Sequence, residues 1–147
     1  MRISQILALK RLEIIKVAPS ASVASAIELM ASERVGAVLV IDEEGQLAGV
    51  LSERDVVQGL VSDPVGLLNR RVMDVATTGG PVASPEDSVQ KVMELMTVTR
   101  ARHVPVLQYG DVIGVVSIGD IVKSRLDEKT RENTVLQEIA RSQFFAH

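Results

Sequence analysis

Two serine–aspartate pairs carry the chemistry this sequence offers. Ser52 is followed three positions later by Asp55, and Ser117 by Asp120; each pair follows a glycine, Gly49 or Gly114, and two apolar residues. A serine placed where a strand gives way to a helix adds a hydroxyl to free backbone N–H groups and the positive end of the helix dipole, a setting that favours an anion such as a phosphate. An aspartate one helical turn later projects to the same side. Its carboxylate accepts well from the two donors of a ribose 2′,3′-diol, so the pair suits a sugar phosphate. Gly49 and Gly114 leave room for a ligand or a backbone to come close. The same spacing also makes a plain helix N-cap, worth ~1 kcal/mol, and duplication alone preserves a cap. Both readings stand on the sequence.

The elements that must position these pairs come from a duplication, the most informative feature of the chain. Gly114, Ser117 and Asp120 follow Gly49, Ser52 and Asp55 by the same 65 positions, as Gly110 follows Gly45. Upstream the offset is 66: Val23 matches Val89, Glu28-Leu29-Met30 matches Glu94-Leu95-Met96, and Val38–Ile41 matches Val104–Leu107. The single-residue slip falls between Asp42-Glu43-Glu44-Gly45 and Gln108-Tyr109-Gly110, a hairpin tip, where insertions cost least.

Each unit reads as β-α-β-β-α. A short strand (14–17; 81–83) precedes a turn at Pro19 or Pro85. A helix follows, started by Ser22 in one unit and by Pro85–Asp87 in the other. Its apolar residues recur at helical spacing: Val23, Ile27 and Met30, then Val89, Val92, Met93 and Met96. Two apolar strands meet at a tight turn (37–41 with 47–51; 103–107 with 112–116). The last helix begins near Glu53 or Ile118. The expected division is a first repeat over 1–62, a linker over 63–80, a second repeat over 81–128 with a lead-in helix at 70–76, and a helical tail over 129–147. The lead-in Val72-Met73-Asp74-Val75 echoes Ile3-Ser4-Gln5-Ile6 before the first unit. Half of so small a sheet stays uncovered, so the units should pack against each other in an α/β (α+β) whole. Phe144-Phe145 either frays or packs on a neighbouring chain.

Composition narrows the functions. The chain has 147 residues, 46% hydrophobic and 24% charged, with 16 basic and 19 acidic side chains for a net charge of −3. That is a globular balance with no basic excess for nucleic acid. No cysteine is present, so thiol catalysis, disulfides and zinc–thiolate sites are out, and no metal site is expected. No apolar run reaches a membrane span, and Met1–Arg11 has no signal-peptide pattern; the expected location is the cytoplasm. Mean hydropathy of +0.22 points to apolar surface covered by a partner chain. Aromatic residues are only 2%, so a flat base must be gripped by aliphatic side chains. His103 and His147 are the only histidines, and nothing sets either as a base on a serine nucleophile. The expectation is a binding protein and not an enzyme.

The Gly-Val-Leu-Ser-Glu-Arg-Asp (49–55), Arg-His-Val-Pro-Val (102–106) and Gly-Val-Val-Ser-Ile-Gly-Asp (114–120) segments resemble the CBS domain, the cystathionine-β-synthase-type repeat whose tandem pairs form a Bateman module. The likeness runs from about Ile3 to Glu128 and is particularly close to short stand-alone bacterial pairs. The resemblance implies two pseudo-symmetric repeats and a regulatory adenine-nucleotide sensor binding AMP, ADP, ATP or NAD(H) in clefts between them, commonly as a homodimer acting on an unknown regulated protein. Carried over by position, Asp55 and Asp120 hold riboses and Ser52 and Ser117 contact phosphate. Lys16, Val17, Val82 and Ala83 frame the base from the first strands, although the family often has Thr where Lys16 and Val82 stand. Gly36-Ala37 and His103-Val104, with Pro105 following, line the base through backbone groups. Arg54, Arg102 and His103 neutralise phosphate. Because only the second repeat has Arg-His-x-Pro, the Asp120 cleft is expected to be the better adenylate site. The alternative is a structural or interaction module with non-binding clefts.

Overall fold

The computed structural model describes residues 1–10 and 13–145, with side chains up to residue 142. The side chains of Phe144 and Phe145, and His147, lie outside what it describes. Helix α1 (Ile3–Ala8) leads into β1 (Lys16–Val17), α2 (Val23–Glu33), β2 (Ala37–Ile41), β3 (Leu47–Ser52) and α3 (Glu53–Ser62). Two 3₁₀ turns, Leu67–Asn69 and Val72–Asp74, form the linker. Then come α4 (Val89–Thr99), β4 (His103–Gln108), β5 (Asp111–Ser117) and α5 (Ile118–Phe145). In the first unit β1 runs parallel to β2, which pairs antiparallel with β3. In the second, β4 pairs antiparallel with β5. The expected strand over 81–83 shrinks to one parallel bridge, Ala83 to Val106. Pro81 has no N–H to give and follows Gly79-Gly80, so only Ala83 joins the ladder, donating to Pro105 O and accepting from Leu107 N, both at 2.9 Å.

The duplication persists in detail. Both hairpins shift register at matching places, Val40/Ile41 and Val106/Leu107. Arg34 and Arg100 end α2 and α4 in the left-handed region, with φ of 56° and 59°. Ser22 accepts from Ser25 N at 3.1 Å, and Ser88 from Lys91 N at 3.0 Å. Ser88 is therefore the second cap. Asp87, within the expected helix start, instead closes the preceding turn by accepting from Ser84 N at 2.8 Å.

The lead-in segments cross between the units. Ile3 and Ile6 of α1 are buried among Val89, Val92, Met96, Val104, Val106, Val116 and Ile121 of the second unit. Val72 is buried with Ala26, Met30, Val38, Val40 and Leu51 of the first. Backbone bridges hold both crossings: Arg2 pairs with Ser88, and Ser22 with Arg71. The 70–76 segment, expected to lead into the second repeat, thus completes the core of the first. Each unit lacks enough helix to cover its own sheet and borrows a turn from its neighbour, which makes the two repeats one folding body.

Gly49 and Gly114 sit where the crossed segments press closest. A Cβ on Gly49 would lie 2.8 Å from Thr77 O, and one on Gly114 would lie 2.9 Å from Leu7 Cδ2. The close approach expected at these glycines is made by the protein's own chain. The tail also differs from expectation. No break occurs at 128, because α5 runs unbroken from Ile118 to Phe145; after Gly119 the segment has neither Gly nor Pro and is rich in Glu, Lys, Arg, Gln and Leu.

Candidate functional site: two unequal clefts

Both Ser–Asp pairs start helices and both line a groove. Asp55 accepts from Ser52 N at 2.9 Å and from Ser52 Oγ at 3.0 Å, while Ser52 Oγ accepts from Asp55 N at 3.3 Å. Asp120 accepts from Ser117 N at 2.8 Å, and Ser117 Oγ accepts from Asp120 N at 3.1 Å. These are reciprocal capping boxes, so the structural half of the sequence reading is realised at both sites. The pairs nevertheless face space. Ser52 and Asp55 line a cleft of about 1100 Å³, and Ser117 and Asp120 line one of about 410 Å³, both large enough for a nucleotide-sized ligand.

Each cleft is assembled from both units. Across from Ser52 and Asp55 lie Pro81 and Val82, the Arg100–His103 segment and Pro105 of the second unit, with Arg54 and the linker residues Thr77–Gly80 at its sides. Across from Ser117 and Asp120 lie Ile14 and Ile15 and the Arg34–Ala37 segment of the first unit, together with Lys10. Gly36 and His103 belong to both linings. His103 stands in the wall between the grooves, its ring 3.2 Å from where a Cβ on Gly36 would be. Burial lowers the His103 pKa, partly opposed by the nearby Glu53 carboxylate.

Of the residues singled out from sequence, the larger groove gathers Ser52, Arg54, Asp55, Val82, Arg102 and Pro105, and the smaller Ala37, Ser117 and Asp120. Lys16, Val17, Ala83 and Val104 line neither. Lys16 is exposed, Val17 packs against the first core, and Ala83 and Val104 are inside the second. The groove walls are the residues just before the first strands, Ile14-Ile15 and Pro81-Val82, because the strands proper turn into the cores. Arg102 also stands opposite Asp55 rather than beside Asp120. The Arg-His segment of the second repeat serves the first repeat's Ser–Asp pair, since each cleft takes its helix start from one unit and its facing wall from the other. This removes the sequence argument for ranking the Asp120 cleft first.

Four polar lining residues, Arg34 and Lys10 in the smaller groove and Arg100 and Thr77 in the larger, were not found from sequence. Arg34 and Arg100 are legible in hindsight, since they match at the 66-residue offset. Thr77 and Lys10 are not, because they fall outside the repeated segments. Thr77 Oγ1 donates to Asp55 Oδ1 at 2.9 Å. Lys10 Nζ donates to Asp120 Oδ2 at 2.6 Å and to Val115 O at 2.7 Å. Burial pushes the Asp120 carboxyl up, but the Lys10 ammonium and the Ser117 amide together outweigh it and hold the group below the usual carboxylate range.

The CBS-domain family model matches residues 5–62 and 72–127. The chain belongs to the CBS-domain family. It is 34% identical over 115 residues to the mitochondrial CBS domain-containing protein CBSX3 of Arabidopsis thaliana, an alignment covering 76% of this chain and 56% of that one. A CBS-domain protein of Agrobacterium tumefaciens superposes with a TM-score of 0.82 at 31% identity, covering 84% of this chain and 92% of the other. A CBS-domain protein of Pyrobaculum aerophilum solved in complex with AMP superposes with a TM-score of 0.73 at 27% identity, covering 82% and 89%. The fold is therefore that of a tandem CBS pair. Among the described residues no helix is long and apolar enough to cross a membrane, and no cluster of acidic or histidine side chains could hold a metal.

Proposed function

We propose that this chain is a regulatory module that binds an adenine nucleotide (AMP, ADP, ATP or an NAD-type dinucleotide) in its inter-repeat clefts and performs no catalysis itself. The observation that carries the reading is that both Ser–Asp pairs, while capping their own helices, line grooves walled by the opposite repeat. A ligand held by Ser52 and Asp55 on one side and by Val82 and Arg102 on the other bridges the units and changes how they pack. It regulates a partner only to the extent that it binds one packing better than another. Both serine hydroxyls are engaged in caps, which suits binding rather than nucleophilic attack. The relative solved with AMP supports the ligand class.

Exposed apolar residues support pairing of two copies as the working unit. Val57, Leu60 and Val61 on α3, and Ile118, Val122 and Leu126 on α5, are 44–82% exposed, and covering them is the natural use of two such helices. A second reading has its own observation: every buried polar side-chain atom among the described residues already has a partner, as a purely structural or interaction module would require. Thermal melting with AMP, ADP, ATP, NAD and buffer separates the two. A ligand at about 100 times its dissociation constant should stabilise the fold by ~2.7 kcal/mol, whereas an unchanged midpoint with all four favours the structural reading.

A further inference from the structure

The two carboxylates are alike at their helix starts and unlike in what crosses over to meet them. Thr77 donates its amide to Val50 O and its hydroxyl to Asp55, both at 2.9 Å. In the second unit the matching acceptors are Val115 O and Asp120, and a single atom, Lys10 Nζ, donates to both at 2.7 and 2.6 Å. One side chain therefore does for the smaller cleft what a residue's amide and hydroxyl do for the larger. Two consequences separate the clefts. Thr77 is neutral and held by its backbone pairing with Val50. Lys10 is charged and tethered by a flexible stem, so it can leave by side-chain rotation. Its ammonium also stands as a donor on Asp120, the carboxylate that a ribose diol would use.

Resting on the nucleotide reading above, we propose that Lys10 is the specificity-determining residue of the Asp120 cleft. It is an internal donor that a ligand must displace, and a ligand bearing a phosphate can re-engage it while a bare nucleoside cannot. The ammonium moves from Asp120 to the phosphate as the sugar takes its place at the carboxylate, so the charge is never left unpaired. The Asp55 cleft, whose carboxylate meets only the neutral donors of Ser52 and Thr77 among the described residues, lacks this filter and fills first.

The test is calorimetric titration with AMP and with adenosine. It uses the wild-type chain, Lys10→Met, which keeps the stem without the charge, and Lys10→Gln, which keeps a donor. Each Lys10 variant is also made with Asp55→Asn so that the smaller cleft reports alone, and melting curves check that every variant folds. If the Lys10-paired state holds the cleft closed by about ten to one, adenosine should bind the Asp120 cleft roughly tenfold more tightly after Lys10→Met. The AMP-over-adenosine preference of that cleft should then collapse, with Lys10→Gln between the two. An unchanged preference, or weaker adenosine binding in Lys10→Met, overturns the proposal even where the wild-type chain binds AMP. Absence of AMP binding by every chain, wild type included, overturns the nucleotide reading and this proposal with it.

Discussion

The two clefts share a helix start and differ in the segment laid across it. In the larger, Thr77 closes the edge of β3 with a backbone pair, and its hydroxyl satisfies Asp55 without adding charge. In the smaller, Lys10 reaches Val115 and Asp120 with a cation. Arginines lie on opposite walls of the larger groove, Arg54 beside Asp55 and Arg102 across from it. The basic side chains of the smaller groove share it with Glu13, Glu33 and Asp120. The lesson is that duplication preserved the half of the site that caps a helix and left the half that crosses over free to diverge. A capping box is under constraint from the fold itself, whereas a crossing segment needs only to cover a core.

The two crossings should differ most at the strand glycines. Gly49→Ala drives a Cβ into a backbone carbonyl that is fixed by the Val50–Thr77 pair and should cost about 2–3 kcal/mol in urea unfolding. Gly114→Ala meets only the end of the Leu7 side chain, which can swing away, and should cost under about 1 kcal/mol. Equal losses would mean that the two crossings are equally rigid.

A smaller effect is the response to acid. His103, in the shared wall, has its pKa lowered by burial. The unfolded chain therefore binds the proton more readily, and stability falls as pH drops below about 6.5 toward the folded value. Asp120, held below the usual carboxylate range, contributes stability that is present above about pH 3.9 and is lost as pH falls through its folded value. Melting midpoints should thus fall first between pH 7 and 5, through the wall. His103→Gln should flatten that limb and leave the more acidic one. An unaltered slope in His103→Gln would remove His103 as its source.

Much of this was legible in the residues. The repeat offset, the strand pairs and the Ser–Asp spacing specify local structure by periodicity and by cap chemistry, and those signals are short in range. The crossing was not legible. Ile3-Ser4-Gln5-Ile6 and Val72-Met73-Asp74-Val75 read as lead-ins to the repeat that follows each, because nothing in a pattern says that the sheet they cover belongs to the other repeat. The same gap hid the true partners of Asp55 and Asp120. It also set Arg102 beside the wrong carboxylate, because sequence nearness stood in for spatial nearness. The family resemblance puts Lys16, Val17, Ala83 and Val104 around the base, but Lys16 is exposed and the side chains of Val17, Ala83 and Val104 pack into the cores. The expected boundary at 128 falls inside the long α5, where the sequence carries no helix-breaking residue.

The most direct test of the account is equilibrium dialysis of labelled AMP against the wild-type chain, Asp55→Asn and Asp120→Asn, with circular dichroism confirming that each folds. Removing the charge that receives a diol should weaken the tighter site by roughly tenfold to a hundredfold. The account predicts that loss in Asp55→Asn, with Asp120→Asn leaving the tighter site unaffected. Retention of full affinity by Asp55→Asn would contradict it.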